Sequence, residues 1–426
     1  MFKKFDCKFL GALFVLCGAF LGVLYMLFMF GDKFPHIDEW KFVPVKDDFL
    51  DYVFRFNNEN LQVFTNSIFF GVEKFVGVWG VNKYISYGVY VLMLFMLYKV
   101  LSFGLDDNKK AFLLLLFLSF FSDFASESLL WVILSQTWFY FLFTFMGIKL
   151  GFFENKCYEN MWFVLITVYL SGLSMNISLP ICFSILYVAK NMLNSLNKKE
   201  DFFKSLVFLM LVFAGVFAFW HSMNNVYDTY ICWDKLDSKE FYVWLFYFML
   251  APMSGMKLFN DNEVLILSLG IVLVSWMGFL FFRQIRDKNK QAVWAVIGVM
   301  LGGMLAITLF RNKHVLMLYE YATRYIIYGL CFMVAFWVAC VIDDNRVVRK
   351  IGYGIGGVLL FFVLWGYHGD RFFETYKANY VNEKCIMNYY EKRRGQLIHL
   401  CTGKYWGNLA PKLIVFEKIY LKDKIK

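Results

Sequence analysis

Apolar runs separated by short polar connections fill most of the chain. A bilayer core of about 30 Å needs about 20 apolar residues per helix. On that measure the pattern predicts spans at 9–30, 84–104, 110–123, 128–149, 160–177, 179–190, 204–220, 263–282, 292–310, 324–341 and 351–367. The runs at 110–123 and 179–190 are short for a crossing. Two more apolar stretches are set apart. The stretch 61–80 carries Glu73 and Lys74 mid-run and reads as an interfacial helix. The stretch 241–258 holds Pro252, Ser254 and Gly255, where a helix breaks, and reads as a re-entrant or half-spanning segment, with a Pro-kinked ordinary helix as the other reading.

Charge fixes the direction of threading. Lys3, Lys4 and Lys8 precede the first run, and the basic connections 106–110, 194–204, 283–290 and 343–350 then fall on the same side as they do. Short basic loops mark the cytoplasmic face, so the N-terminus is expected there and the loop 31–60 outside. The first run is too long for the apolar part of a signal peptide, and no small-residue cleavage site follows it, so it is expected to stay as an anchor. The whole is an expected all-α, polytopic bundle of about 11 spans, 1–367, followed by an extracytoplasmic tail, 368–426.

Composition agrees: 60% of residues are hydrophobic and 21% aromatic, which argues against a soluble fold. The net charge of +10 is spread over the short loops, so it is a topology signal and no nucleic-acid partner is expected. Nine cysteines show no CxxC spacing. Cys7, Cys17, Cys182, Cys331 and Cys340 lie in or beside apolar runs and read as packing residues. Cys385 and Cys401 could pair in an oxidising compartment, with Cys232 as a competing partner. No metal-ligand spacing occurs around the five histidines, and no metal or other cofactor is expected.

The longer polar connections, and with them the candidate chemistry, fall on the outer face. HIDEW at 36–40 sets Asp38 and Glu39 beside Trp40 just past the first span. A carboxylate partly desolvated at the membrane boundary has a raised pKa and suits a general base toward an acceptor hydroxyl; the alternative is an ordinary hydrated loop. Arg311, Lys313 and Arg324, the last with Tyr325 in YEYATRY (319–325), could hold a phosphate, or snorkel to lipid headgroups. Glu59 and Glu127 are further acids between apolar runs, readable as site residues or as helix caps. Asn176 precedes Pro180 in LSGLSMNISLP and could face a cavity or lie in a tight hairpin.

Read in order, the Asp-Glu-Trp of the first outer loop, NEN (58–60), SESLLWVILSQTWF (126–139), LSGLSMNISLP (170–180), FYFMLAPMSGM (246–256) and ATRY (322–325) resemble bacterial membrane glycosyltransferase-like proteins of the GT-C superfamily. The resemblance covers most of the chain and is carried by motif order. It implies transfer of a sugar from a polyprenyl-phosphate carrier to a surface glycan or lipid acceptor at the inner membrane of a bacterium. Asp38 or Glu39 would be the catalytic acid of the first outer loop, and Arg324 would contact the carrier phosphate. The position that carries a histidine in the family is Asn60 here. A flippase, transporter or polymerase of lipid-linked oligosaccharides is the rival reading. A transporter would want ionisable residues in mid-span, and these runs are nearly free of charge.

Overall fold

The computed structural model describes residues 7–30, 48–54, 56–57, 60–76, 80–121, 135–153, 160–175, 177–194, 199–224, 236–250, 262–310 and 326–365. Among them are fourteen α-helices and one antiparallel ladder of two residues a side, Phe56–Asn57 (β1) with Asn60–Leu61 (β2). The helices are α1 (Cys7–Phe30), α2 (Phe49–Val53), α3 (Val63–Phe75), α4 (Val81–Leu101), α5 (Asp107–Leu116), α6 (Ser135–Phe153), α7 (Met161–Ser174), α8 (Ser178–Asn194), α9 (Lys199–Asn224), α10 (Lys239–Met249), α11 (Glu263–Gln284), α12 (Gln291–Phe310), α13 (Ile326–Val341) and α14 (Arg346–Trp365). The fold is all-α, as expected.

Each expected span coincides with a helix, with shifted ends. The short run at 110–123 is α5 continued by a 3₁₀ turn, Phe117–Phe121. The other short run becomes α8 because Pro180 sits in its first turn, where the missing N–H breaks no helical bond. Asn60 pairs with Asn57 in the ladder, and α3 begins at Val63. Among the described residues, four helices are long and apolar enough to cross a membrane: α1 over Cys7–Tyr25, α4, α11, and α12 over Gln291–Leu309. Met161–Ser174, Phe202–Ala218 and Ile326–Val341 are shorter apolar helices.

The outward surface is apolar, unlike that of a water-soluble bundle. Phe14 and Phe282 are each 80% exposed, and Val272, Met210 and Phe217 also face outward, while Trp138, Trp337, Tyr90 and Tyr140 fill the centre. So much apolar surface is stable only against lipid, and the chain is a membrane protein. Cys331 and Cys340 are buried as packing residues, but Cys7 and Cys17 lie exposed on the outward face of α1, because an outward position there needs only to be apolar.

The helices alternate between two ends. At one end the Lys8 ammonium donates to Asn108 (3.2 Å), the Phe103 and Phe153 rings meet at 4.4 Å, and Lys190 Nζ donates to the Gly151 carbonyl. With Lys109, Lys110, Arg286, Lys288, Arg346 and Lys350 there as well, it is the basic end. At the far end stand the starts of α4, α6, α8 and α11 and the finish of α7. Among the described residues, the far-end cations are Lys74, Lys83 and Lys239.

The basic end is closed by one polar network. Asp343, 2% exposed, accepts from Gln284 Nε2 (2.8 Å), Arg283 Nη2 (3.2 Å) and the Asn345 N–H (2.8 Å). Gln284 also donates to the Ala339 carbonyl and accepts from Trp294 Nε1, and Arg349 donates to the Asp343 carbonyl. Lys290 bridges Asp344 (3.0 Å) and Asp287 (3.2 Å). Burial pushes the Asp343 carboxyl up, but the hydrogen bonds from Gln284, Asn345 and Arg283 outweigh it and hold the group below its ordinary value. The ends of α11, α12, α13 and α14 are thereby tied together.

Two elements at the far end are not ordinary crossings. The start of α3 meets the start of α6, where Thr65 and Ser135 share a hydrogen bond (2.9 Å), and its finish lies five residues before α4, whose start is also at the far end. Both ends of α3 thus lie toward the far end of the bundle. The helix leaves Phe75 and Val76 exposed beside Lys74, as an interfacial helix does.

Helix α10 behaves differently. Lys239 pairs with Glu263 at the starts of α10 and α11, and seven residues on in both helices Phe246 packs against Gly270. The two run in the same direction and in register, so Met249 ends level with the middle of α11 and Asn262 stands back at its start. A Cβ at Gly270 would overlap the Phe246 ring. Gly270→Ala is therefore expected to lower stability by about 1–3 kcal/mol through overpacking, and Phe246→Ala in the same chain to recover part of it. Thermal unfolding of the two single variants and the double variant in detergent checks this; strict additivity would show that the two positions do not touch.

Candidate functional site at the far end of the bundle

Polar side chains are buried at the far end to a degree unusual for membrane helices. The inward face of α3 is Gln62, Thr65, Asn66 and Phe69, at helical spacing, all almost fully buried. Of these, Thr65 meets the Ser135 hydroxyl at the start of α6. Asn66 Nδ2 donates to the carbonyls of Tyr52 and Val53, which fixes α2 beneath α3.

From there a seam of hydroxyl groups passes between α6, α7 and α8. Thr137 donates to Met175 Sδ (3.9 Å), Thr144 and Ser171 share a hydrogen bond (2.9 Å), and Ser171 donates to the Tyr140 carbonyl (3.2 Å). The Tyr140 hydroxyl accepts from the Leu179 N–H (2.7 Å) and pairs with Ser178 (2.9 Å), so a side chain of α6 caps the start of α8. Tyr140→Phe takes the acceptor from the buried Leu179 N–H. It is expected to cost about 1–3 kcal/mol, read as a lower unfolding temperature, while Ser178→Ala alone costs less because the N–H bond survives.

Three carboxamides in this region stand apart from the seam. Gln62 is 1% exposed, Gln136 7% and Asn82 0%. Gln62 Oε1, Gln136 Oε1 and both polar atoms of Asn82 have no hydrogen-bond partner among the described residues. A buried polar group left unpaired costs about 1–3 kcal/mol. Lys83, beside Asn82 in the first turn of α4, is also buried, with its ammonium 5.1 Å from the Tyr84 ring centre.

Asp38, Glu39, Glu59, Glu127, Asn176, Arg311, Lys313, Arg324 and Tyr325 all lie outside the described residues, as do Cys232, Cys385 and Cys401. The described elements that flank those nine candidate residues can still be located. Asp38 and Glu39 fall between α1 and α2, Glu59 between β1 and β2, Glu127 between the 3₁₀ turn and α6, Asn176 between α7 and α8, and the other four between α12 and α13. All the flanking helix ends are far-end positions. Sequence reading passed over Gln62, Asn82 and Gln136, since a carboxamide at the edge of an apolar run looks like a solvated cap; only their burial sets them apart.

No protein-family model matches the chain, and no curated protein or solved structure matches it.

Proposed function

We propose that the chain is an integral-membrane glycosyltransferase of the GT-C type. It crosses the membrane about eleven times and transfers a sugar from a polyprenyl-phosphate carrier to a glycan or lipid acceptor on the outer face of a bacterial inner membrane. One observation carries the reading: the nine residues chosen from the sequence come from five separate connections, and the α-helix ends that flank those connections lie toward the far end of the bundle. Among the described residues the far end holds fewer cations than the other, so by the positive-inside rule it is the outer one, and the basic end, closed by its ion pairs, is cytoplasmic. On this reading α3 rests in the outer headgroup layer and α10 is re-entrant from the same side, and both leave room for a lipid-linked donor to enter laterally.

The chemistry asked of the site is one displacement with inversion. Asp38, or Glu39, removes the proton of the acceptor hydroxyl as its oxygen bonds to the sugar's anomeric carbon, and the bond from that carbon to the carrier phosphate breaks. Arg324, with Arg311 or Lys313, meets the charge that builds on the departing phosphate. Glu59, Glu127, Asn176 and Tyr325 are placed as substrate contacts. The rival flippase or transporter would need ionisable groups in mid-span. Among the described residues, the buried ones, Lys83, Lys190, Lys290 and Asp343, sit at helix ends or between helices. The test compares surface-glycan mass in cells carrying wild type, Asp38→Asn or Glu39→Gln at equal membrane abundance. Loss of one sugar-sized mass in Asp38→Asn alone is the expected result; unchanged glycans in both variants would end the transferase reading.

A further inference from the structure

We infer that the junction of α3 and α6 is a binding subsite for the hydroxyl groups of a sugar, with the carboxamides of Gln62 and Gln136 as its ligating groups. The inference deepens the proposed function and rests on it for the class of ligand. Gln62 stands at the N-cap of α3, three residues before Thr65, and Gln136 lies in the first turn of α6; the Thr65–Ser135 hydrogen bond of 2.9 Å joins these two helix starts. Both side chains are more than nine-tenths buried, and neither makes a hydrogen bond to a described residue. Whichever way each carboxamide is turned, a donor or an acceptor faces no partner.

The chemistry of the ligand follows from that. A hydrocarbon would leave both groups unpaired. A phosphate accepts hydrogen bonds and does not donate them when fully ionised, so it would answer only the amide N–H groups. A hydroxyl both donates and accepts, and a pair of neighbouring sugar hydroxyls can match a carboxamide at both of its atoms. Phe69 and Trp138, one turn further along α3 and α6 from Thr65 and Ser135, are buried and apolar. The position suits the headgroup of a lipid-linked sugar, since both ends of α3 lie toward the far end of the bundle.

The test measures binding apart from turnover. Full-length protein in lipid nanodiscs is titrated with citronellyl-phosphate glucose, galactose, mannose and N-acetylglucosamine, and with bare citronellyl phosphate as reference. Wild type is expected to bind at least one glycosylated probe more tightly than the bare phosphate. Gln62→Met and Gln136→Met each reduce that preference about tenfold, leave the affinity for bare phosphate unchanged, and keep or raise the unfolding temperature of the ligand-free protein. Should either Met variant fail to fold, Gln62→Asn and Gln136→Asn, which withdraw the amide by one methylene, carry the same expectation. The inference is overturned if no glycosylated probe outbinds the phosphate, or if the variants retain the wild-type preference, in which case the junction holds water only. The outcomes separate it from the transferase reading. Met variants that keep the wild-type preference, or a wild type without one, while Asp38→Asn still strips the cell-surface sugar remove the subsite alone; a wild-type preference that the Met variants lose while Asp38→Asn changes no glycan removes the transferase alone.

Discussion

Changing Asp38 to asparagine is expected to slow sugar transfer by about 10²- to 10⁴-fold, the usual contribution of a positioned general base. Asparagine keeps the shape and hydrogen-bonding reach of the side chain but cannot take the acceptor's proton. Because that interaction strengthens only as the reaction proceeds, kcat and kcat/KM should fall together and KM for the lipid-linked donor should hardly move. Glu39→Gln beside it should keep a rate near that of wild type. The reverse pattern would transfer the role to Glu39, and full rates in both would remove the loop from the chemistry. Turnover of a radiolabelled polyprenyl-phosphate sugar by protein in nanodiscs gives the numbers.

The largest effect on stability is expected at the opposite end of the molecule. Asp343→Ala removes the acceptor of Arg283, Gln284 and the Asn345 N–H at once, and taking one partner from a buried ionic network costs about 3–5 kcal/mol. Asp343→Asn should cost less, because one amide oxygen still accepts. The same residue predicts an acid response. Its folded-state pKa is depressed, so its contribution is complete above the ordinary carboxylate value of about 3.9 and is lost as the pH falls through the depressed value. The unfolding temperature of wild type should therefore drop on acidification by more than that of Asp343→Asn. Equal drops would show that the carboxylate is not what holds the four helices together.

The fold was legible where the chain had to satisfy lipid. Runs such as those of α1, α11 and α12 could be only buried or lipid-facing helices, and their positions were read to within a few residues. Ends were less legible: α9 starts at Lys199 and α14 at Arg346, well before their apolar runs, because charged residues cost nothing at a helix end that reaches water. Run length also concealed the 3₁₀ turn after α5. The separation of 61–80 and 241–258 from the ordinary spans came from charge and proline, and the geometry of α3 and α10 is in keeping with it. The network around Asp343 could not be read as a unit, since Arg283, Gln284, Trp294 and Asp343 are scattered and meet only through helix packing. The same holds for Gln62 and Gln136, whose significance lies in what surrounds them. Chemistry was sought in charged residues of the connections, whereas the described part of the far end is built from amides and hydroxyl groups.

The direction of α10 has a consequence for how the protein is made. Its eleven residues rise only about 16 Å, half of a bilayer core, so it is too short to be held in the membrane as a crossing while the chain is still emerging from the ribosome. The surfaces that α10 rests on belong to α11, α12 and α13, all synthesised after it. Until Val341 has been added the segment has no finished bed, and it must wait at the membrane surface with Phe246 and Tyr247 uncovered. That part of the bundle is thus completed late and out of chain order, and a nascent chain stopped short of α13 would carry every residue of α10 and still lack the surface it packs on.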